Sequence, residues 1–218
     1  MALVFLDLDE TLLDGDSDYE WGRYLATTGK VDRATYEKEN ERFYREYLAG
    51  TFDILKFLDF ALKPLAENSY AELCRWRSQF IETRIRPMIK AKAHELIRHH
   101  REAGDELVII TSTNRFIVEP ICELLGIENL IATEPAQENG EFTGAVEGVP
   151  CFGPGKVTRA NQWADSRSKS LQDSYFYTDS FNDLPLLEHV GFPVAVDADE
   201  KLAAHANKLG WKQISLKS

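Results

Sequence analysis

The stretch Leu3-Val4-Phe5-Leu6-Asp7-Leu8-Asp9-Glu10-Thr11 sets the architecture of the chain. Four consecutive apolar residues suit a strand buried on both faces, as the strands of parallel sheets are. The run stops at two carboxylates. Side chains two apart on a strand share a face, so Asp7 and Asp9 point into the same space. Carboxylates that close raise each other's ionisation cost unless a cation or hydrogen bonds compensate. Read alone, the pair is equally well a solvated acidic turn after a strand.

The same pattern recurs downstream. Residues 107–110 form an apolar run ending in Thr111-Ser112-Thr113-Asn114, residues 175–177 one ending in Thr178-Asp179-Ser180, and residues 194–196 a fourth. Between them, helical periodicity over 91–103, 116–125, 184–190 and 200–209 stops each time at a glycine, the usual residue just past a helix end. Strands alternating with such helices predict an α/β fold, a Rossmann-like parallel sheet core flanked by helices. Residues 17–86 break the rhythm. Apolar residues there recur at helical spacing, as in Leu73, Trp76 and Phe80, Ser69 with Glu72 resembles a capping box, and Pro87 bars continuation. The expected organisation is an α/β core of residues 1–16 and 87–218 with a helical insert over 17–86. Residues 131–150 carry Gly140, Gly144 and Gly148 and read as a β-hairpin or meander.

Composition narrows the class of partner. Thirty-six acidic against 25 basic residues give a net charge of −11 over 218 residues, a surface that repels nucleic acid and anionic membrane. Cys74, Cys122 and Cys151 are far apart and odd in number, which suggests neither a disulfide framework nor a zinc site and predicts reduced thiols in a cytoplasm. The apolar start is too short and too quickly acidic for a signal peptide, and no apolar run is long enough to span a membrane. The five histidines fall inside helical patterns without zinc-ligand spacing, and the four tryptophans read as packing residues.

Three further signals bear on chemistry. Asp179-Ser180-Phe181-Asn182-Asp183 follows a buried strand and could join Asp7 around a hard divalent ion, or simply cap a helix. The Thr111 hydroxyl and the amides after it could hold phosphate oxygens, or cap the next helix. Lys156 follows Gly153-Pro154-Gly155 but is no nucleotide P-loop, because Val157 stands where a hydroxyl is required.

In this order the motifs resemble those of the haloacid dehalogenase superfamily of phosphatases, in its phosphoserine-phosphatase-like branch, and the insert lies where that superfamily places a helical type 1 cap. The resemblance implies Asp7 as nucleophile forming an aspartyl-phosphate, and Asp9 as the acid and base. It implies Thr111 as a phosphoryl ligand and Lys156 as the neutralising cation. It implies Mg²⁺ as cofactor, on Asp7, the Asp9 carbonyl and Asp179, with Asp183 in or beside that shell. Phosphoserine phosphatases resemble the chain less at the substrate end. Their glutamate after the first motif falls at Asp16, their substrate-carboxylate arginine has no counterpart near 57–59, and Thr111-Ser112-Thr113 replaces Ser-Gly-Gly. Residues 12–22 look instead like the bacterial group that includes histidinol-phosphate phosphatases. The expected substrate is therefore a small phosphate ester bearing an amine, contacted by Asp16, Glu20, Ser112 and Thr113, with histidinol phosphate as leading candidate. Phosphoserine or another small ester, a phosphotransferase and a non-catalytic phospholigand-binding protein are the alternatives. A receiver-type switch domain also gathers acidic residues, a threonine and a lysine at strand ends, but is about half this length.

Overall fold

Strand β1 (Leu3–Leu6) has all four side chains buried, so it must be covered on both faces and paired on both edges. The computed structural model describes residues 2–217; residues 1 and 218, the outermost of the two expected core segments, lie outside it. After β1 come helices α1 (Ser17–Thr27), α2 (Arg33–Ala49), α3 (Ile54–Ala61), α4 (Lys63–Ala66) and α5 (Tyr70–Phe80). A π turn over Ile81–Ile85 and a 3-10 turn over Arg86–Met88 lead into α6 (Ala91–Glu102). The chain continues through β2 (Glu106–Asn114), α7 (Arg115–Leu125), β3 (Asn129–Glu138), β4 (Glu141–Glu147) and α8 (Pro154–Ser166). It ends with β5 (Ser174–Thr178), α9 (Leu184–Leu187), β6 (Phe192–Val196), α10 (Glu200–Leu209) and β7 (Lys212–Ile214).

These strands form one seven-stranded sheet in the order β4-β3-β2-β1-β5-β6-β7, parallel except for the β3–β4 hairpin. β1 lies between β2 and β5, so the strand order reverses beside it, and the crevice beyond its carboxyl end is the natural ligand position of such a sheet. Alternate residues of the central strands enter two cores. Leu3, Phe5, Val108, Ile110 and Phe176 meet α8, α9 and α10 through Ala160, Leu186 and Leu202. Val4, Leu6 and Ile109 meet α6 and α7 through Ile97 and Ile121, and this second core runs on without a break into Trp21, Leu25, Leu73 and Phe80 of the insert. Trp21 packs edge-on against Phe80 and Phe116 at 5.2 and 6.4 Å. The two crossings between core and insert lie side by side: Leu13 pairs with Ile89, Asp14 N donates to Met88 O (2.7 Å) and Lys90 N to Leu12 O (3.1 Å).

Several local expectations are corrected. β2 runs to Asn114 instead of stopping at 110, because its polar end pairs with β3, so residues 111–113 belong to the strand. Asn114, not Thr111, caps α7, accepting from Ile117 N at 3.3 Å. The helix expected over 184–190 is a 3-10 turn over Phe181–Asp183 followed by the four-residue α9. Ser69 makes no side-chain cap bond; Tyr70 N donates instead to Glu141 Oε2 at 2.6 Å, tying α5 to β4. The expected hairpin is β3–β4, turned at Asn139-Gly140 with φ of 52° and 84°, the conformation a two-residue hairpin loop requires. α8 and β7 have no counterpart in the sequence reading. Among the described residues no helix is long and apolar enough to cross a membrane, and all three cysteines are free. His100 is a buried packing histidine, held between Asp105 (2.9 Å) and the Tyr177 hydroxyl (2.8 Å).

Gly155 lets α8 start against the 149–150 turn, since a Cβ there would stand 2.0 Å from Pro150 O. Gly155→Ala is expected to cost about 3 kcal/mol or more, because backbone must move. Gly148→Ala, at φ +71° with open space around it, should cost about 1 kcal/mol. Urea denaturation of the two variants checks the contrast.

Candidate active site

β1 and β5 pair up to Leu6 and Tyr177, and the ladder continues with Asp7 N donating to Tyr177 O at 2.9 Å. This fixes Asp7 at the sheet edge beside the loop that follows β5. Its Oδ1 accepts from Lys156 Nζ at 2.8 Å. Lys156 sits in the first turn of α8, 3% exposed, and also donates to Asp183 Oδ2 at 2.7 Å, which takes a second bond from Thr178 Oγ1 at 2.7 Å. Burial alone would lower the lysine's pKa, but Asp183 and Asp7 outweigh it and hold the ammonium well above its ordinary range. Burial pushes the Asp7 carboxyl up to about 7, against the opposing pull of Lys156.

Asp9 shares the space, as its spacing from Asp7 predicts. Ser17 N, in the first turn of α1, donates to its Oδ1 at 2.6 Å, and Thr113 Oγ1 donates to its Oδ2 at 2.9 Å. Burial raises its pKa while these bonds oppose the rise. The loop beyond it turns through Glu10 at φ 54°, and Glu10 O accepts from the buried Lys90 Nζ at 2.5 Å. Thr11 ties this loop to the next, its hydroxyl donating to Asp179 Oδ1 (2.9 Å) and accepting from Asp179 N (3.0 Å). Burial and the Asp7 charge raise Asp179 well above the carboxylate range.

Asp7 and Asp183 pair with one ammonium, while the Asp9 charge acts on Asp7 and the charges of Asp7 and Asp183 act on Asp179, an excess of negative charge that suits a divalent cation. Among the described residues no three His, Cys, Asp or Glu side chains form a ready-made cage. Mg²⁺ needs none, since it is held by one or two carboxylates, water and substrate oxygens. Asp7 and Asp179, close enough for the charge of one to raise the pKa of the other, are carboxylates that could hold such an ion.

The site opens into a chamber with about 660 Å³ of empty space, part of it reaching solvent. Asp7, Ser112, Thr113 and Lys156 form its floor, and α1 and α2 its opposite wall. The carboxyl end of α2 is fastened across the cleft: the Tyr47 hydroxyl donates to Ser180 Oγ (3.0 Å), and Asn182 Nδ2 donates to Tyr47 O (3.3 Å). Phe52 packs on Phe152 at 5.3 Å.

Most of the expected site residues converge here, with three adjustments. Thr111 is buried with its hydroxyl turned to Asp9 (3.4 Å) and to Thr113 N (3.2 Å), so Ser112 and Thr113 face the chamber in its place. Asp16 lines the chamber while also capping α1 by accepting from Tyr19 N at 2.8 Å. Glu20 does not line it; Arg23 (2.6 Å) and Arg84 (3.9 Å) hold it on the outer side of α1. Asp18 takes the inward position instead, and burial with the Asp9 charge pushes its carboxyl up to about 7. Asn40, Phe43, Tyr44 and Tyr47 are further wall residues absent from the sequence reading, although their spacing marks one face of α2.

A family model described as haloacid dehalogenase-like hydrolase matches residues 4–188. The chain belongs to the haloacid dehalogenase-like hydrolases. It is 44% identical, over 99% of both chains, to a histidinol-phosphatase of Neisseria meningitidis serogroup C (strain 8013). A crystal structure of a protein of unknown function from Bordetella pertussis Tohama I is 40% identical and superposes with a TM-score of 0.92, covering 99% of this chain and 98% of that one. A phospho-aspartyl intermediate analogue of phosphoserine phosphatase shares the fold at 20% identity, with a TM-score of 0.73 over 99% of this chain and 93% of that one. Within the haloacid dehalogenase-like hydrolases the chain is an enzyme of the phosphatase type.

Lys156→Met leaves Asp7 and Asp183 buried without their counter-charge. The Asp7 pKa, which burial already raises from 3.8 to about 7 against the pull of Lys156, then stands well above its unfolded value, so the native state binds more protons and loses stability as pH rises from about 4 through about 7. The expected cost is about 3 to 5 kcal/mol near pH 8 and clearly less near pH 5, measured by denaturation at both pH values.

Proposed function

We propose that the chain hydrolyses a small phosphate monoester through an aspartyl-phosphate on Asp7, with Mg²⁺ as cofactor, and that the ester is histidinol phosphate. The observation that carries this reading is the division of charge in the chamber. Its floor holds the one cation among its lining residues, Lys156 beside Asp7, while Asp16 and Asp18 stand in the opposite wall and no arginine lines the chamber; Arg23 and Arg84 line a separate cleft that Asp16 also borders. A phosphate seats on the floor; an amine, not a carboxylate, suits the wall. The relationship to the Neisseria histidinol-phosphatase supports the same substrate.

In this mechanism an Asp7 oxygen attacks phosphorus, the ester P–O bond breaks, and the Asp9 carboxyl gives its proton to the departing alcohol. Asp9 then takes a proton from water as that water attacks the phosphorus of the aspartyl-phosphate, releasing inorganic phosphate and restoring the Asp7 carboxylate. Burial favours the protonated form of Asp9 that the first step uses, and Thr113 with Ser17 N keeps it oriented. Lys156 offsets the charge that builds on Asp7 and the phosphoryl oxygens, and Ser112 faces them from the strand end. Bound on Asp7, Asp179 and the Asp9 carbonyl, Mg²⁺ would supply the remaining positive charge that lets a phosphate dianion approach a carboxylate. Residues 17–86 act as a lid over the core of 1–16 and 87–218, excluding water while the α2 fastening is made.

Asp7→Asn is expected to lower kcat by about three orders of magnitude or more, because an amide cannot attack phosphorus; a steady-state phosphate-release assay on purified protein reads it. Mg²⁺ dependence has a sign in stability as well. Asp7, raised by burial from 3.8 to about 7 even with Lys156 beside it, binds more protons when folded, so the metal-free protein loses stability as pH rises through that window. Added Mg²⁺ should therefore raise Tm more near pH 8 than near pH 5, with a stabilisation of about 2.7 kcal/mol at a hundred times its Kd. Thermal scans with Mg²⁺ and with EDTA at both pH values test this.

A further inference from the structure

Among the described residues, two hydrogen-bond acceptors in the insert wall of the chamber have no protein donor. Asp18 lines the chamber, and among the described residues no hydrogen bond or ion pair reaches its carboxylate. Asn40 is 5% exposed; its Nδ2 donates to Tyr19 O at 2.9 Å, while its Oδ1 receives nothing among the described residues. The surroundings are aromatic. Tyr19 and Tyr44 stack at 4.7 Å with an interplanar angle of 30°, and Phe43 and Phe57 meet edge-on at 5.4 Å, all four lining the same chamber. Asp16 differs, since one of its oxygens already caps α1.

We propose that Asp18 and Asn40 Oδ1, set among Tyr19, Phe43 and Tyr44, form a subsite for a flat nitrogen ring bearing N–H donors, separate from the amine position at Asp16. The inference rests on the phosphatase reading and deepens it: the substrate is read by two nitrogens, an ammonium at Asp16 and an azole N–H at Asp18. Asp18 is half-buried, so its unpaired carboxylate is partly stripped of water, and a ligand N–H that takes that water's place offsets the cost. An azole does so with a charge-assisted bond, and its ring face stacks on the tyrosines. Discrimination by such a site is steep, because a ligand without the N–H leaves both acceptors unpaired. An ester with an amine but no ring fills only the Asp16 position.

The test compares kcat/KM for histidinol phosphate, O-phosphoethanolamine and p-nitrophenyl phosphate on wild type, Asp18→Asn and Asp16→Asn. The ratio of histidinol phosphate to O-phosphoethanolamine should fall about tenfold or more in Asp18→Asn and stay within about twofold in Asp16→Asn, which weakens both amines together. Calorimetry of histidinol phosphate binding to Asp7→Asn, with and without Asp18→Asn, should show the same loss of affinity without turnover. An unchanged ratio in Asp18→Asn, or a wild type that prefers O-phosphoethanolamine, overturns the ring subsite and leaves the phosphatase reading standing. A protein that hydrolyses none of the three esters overturns the phosphatase reading, and calorimetry then decides the subsite by itself.

Discussion

One buried ammonium organises the site. Lys156 is the counter-charge that allows Asp7 and Asp183 to stand together at the end of a sheet, out of water. Removing two carboxylates from solvent is expensive, and only close pairing with satisfied hydrogen bonds offsets it. That requirement reaches outward: α8 has to begin at the strand edge, so its first turn presses on Pro150 and admits no side chain at Gly155. Thr178 supplies the second bond to Asp183, which fixes the end of β5 and with it the loop that carries Asp179.

A second constraint comes from the insert. The first turn of α1 carries the amide that holds Asp9, the Asp16 cap and the inward Asp18 within three residues. Residues 7–18 therefore run from the buried carboxylate of Asp7 to Asp18 in the facing wall of the chamber, and the short path leaves little freedom between the two. Lys90 reinforces this from the returning crossing, linking the Glu10 carbonyl to Asp197 at 3.4 Å. The core shared by α1, α5 and α7 makes the base of the insert part of the main body. The carboxyl end of α2 is held across the cleft through Tyr47 by hydrogen bonds to the β5 loop and an aromatic edge on Phe52.

Much of this was legible in the sequence because its signals are local. A buried strand stopping at carboxylates, and helices stopping at glycine, need no tertiary information, and they put Asp7, Asp9 and Asp179 just beyond the ends of β1 and β5, where they stand in the structure. The extension of β2 was not legible, since Thr111-Ser112-Thr113 is polar and the ladder to β3 breaks after Ile110 and resumes only at Asn114, opposite Thr133. The same blindness left Thr111 as the residue expected at the phosphoryl group, whereas its hydroxyl turns to Asp9 and Ser112 and Thr113 line the chamber. Glu20 and Asp18 are two apart in an acidic run, and only the helical phase of α1 decides which of them faces the chamber. Burial of Lys156 and Lys90 is likewise a property of the folded packing, as lysine flanked by glycine or by apolar residues reads as surface.

The account stands on Asp7 becoming covalently phosphorylated. Rapid quench of a single turnover of histidinol phosphate, followed by borohydride reduction and peptide mapping, reads this directly, because reduction converts an aspartyl-phosphate to homoserine. Homoserine at position 7, absent without substrate and absent in Asp7→Asn, is the predicted result. Full turnover with no reduced residue at position 7, or with the label at another carboxylate, would contradict it.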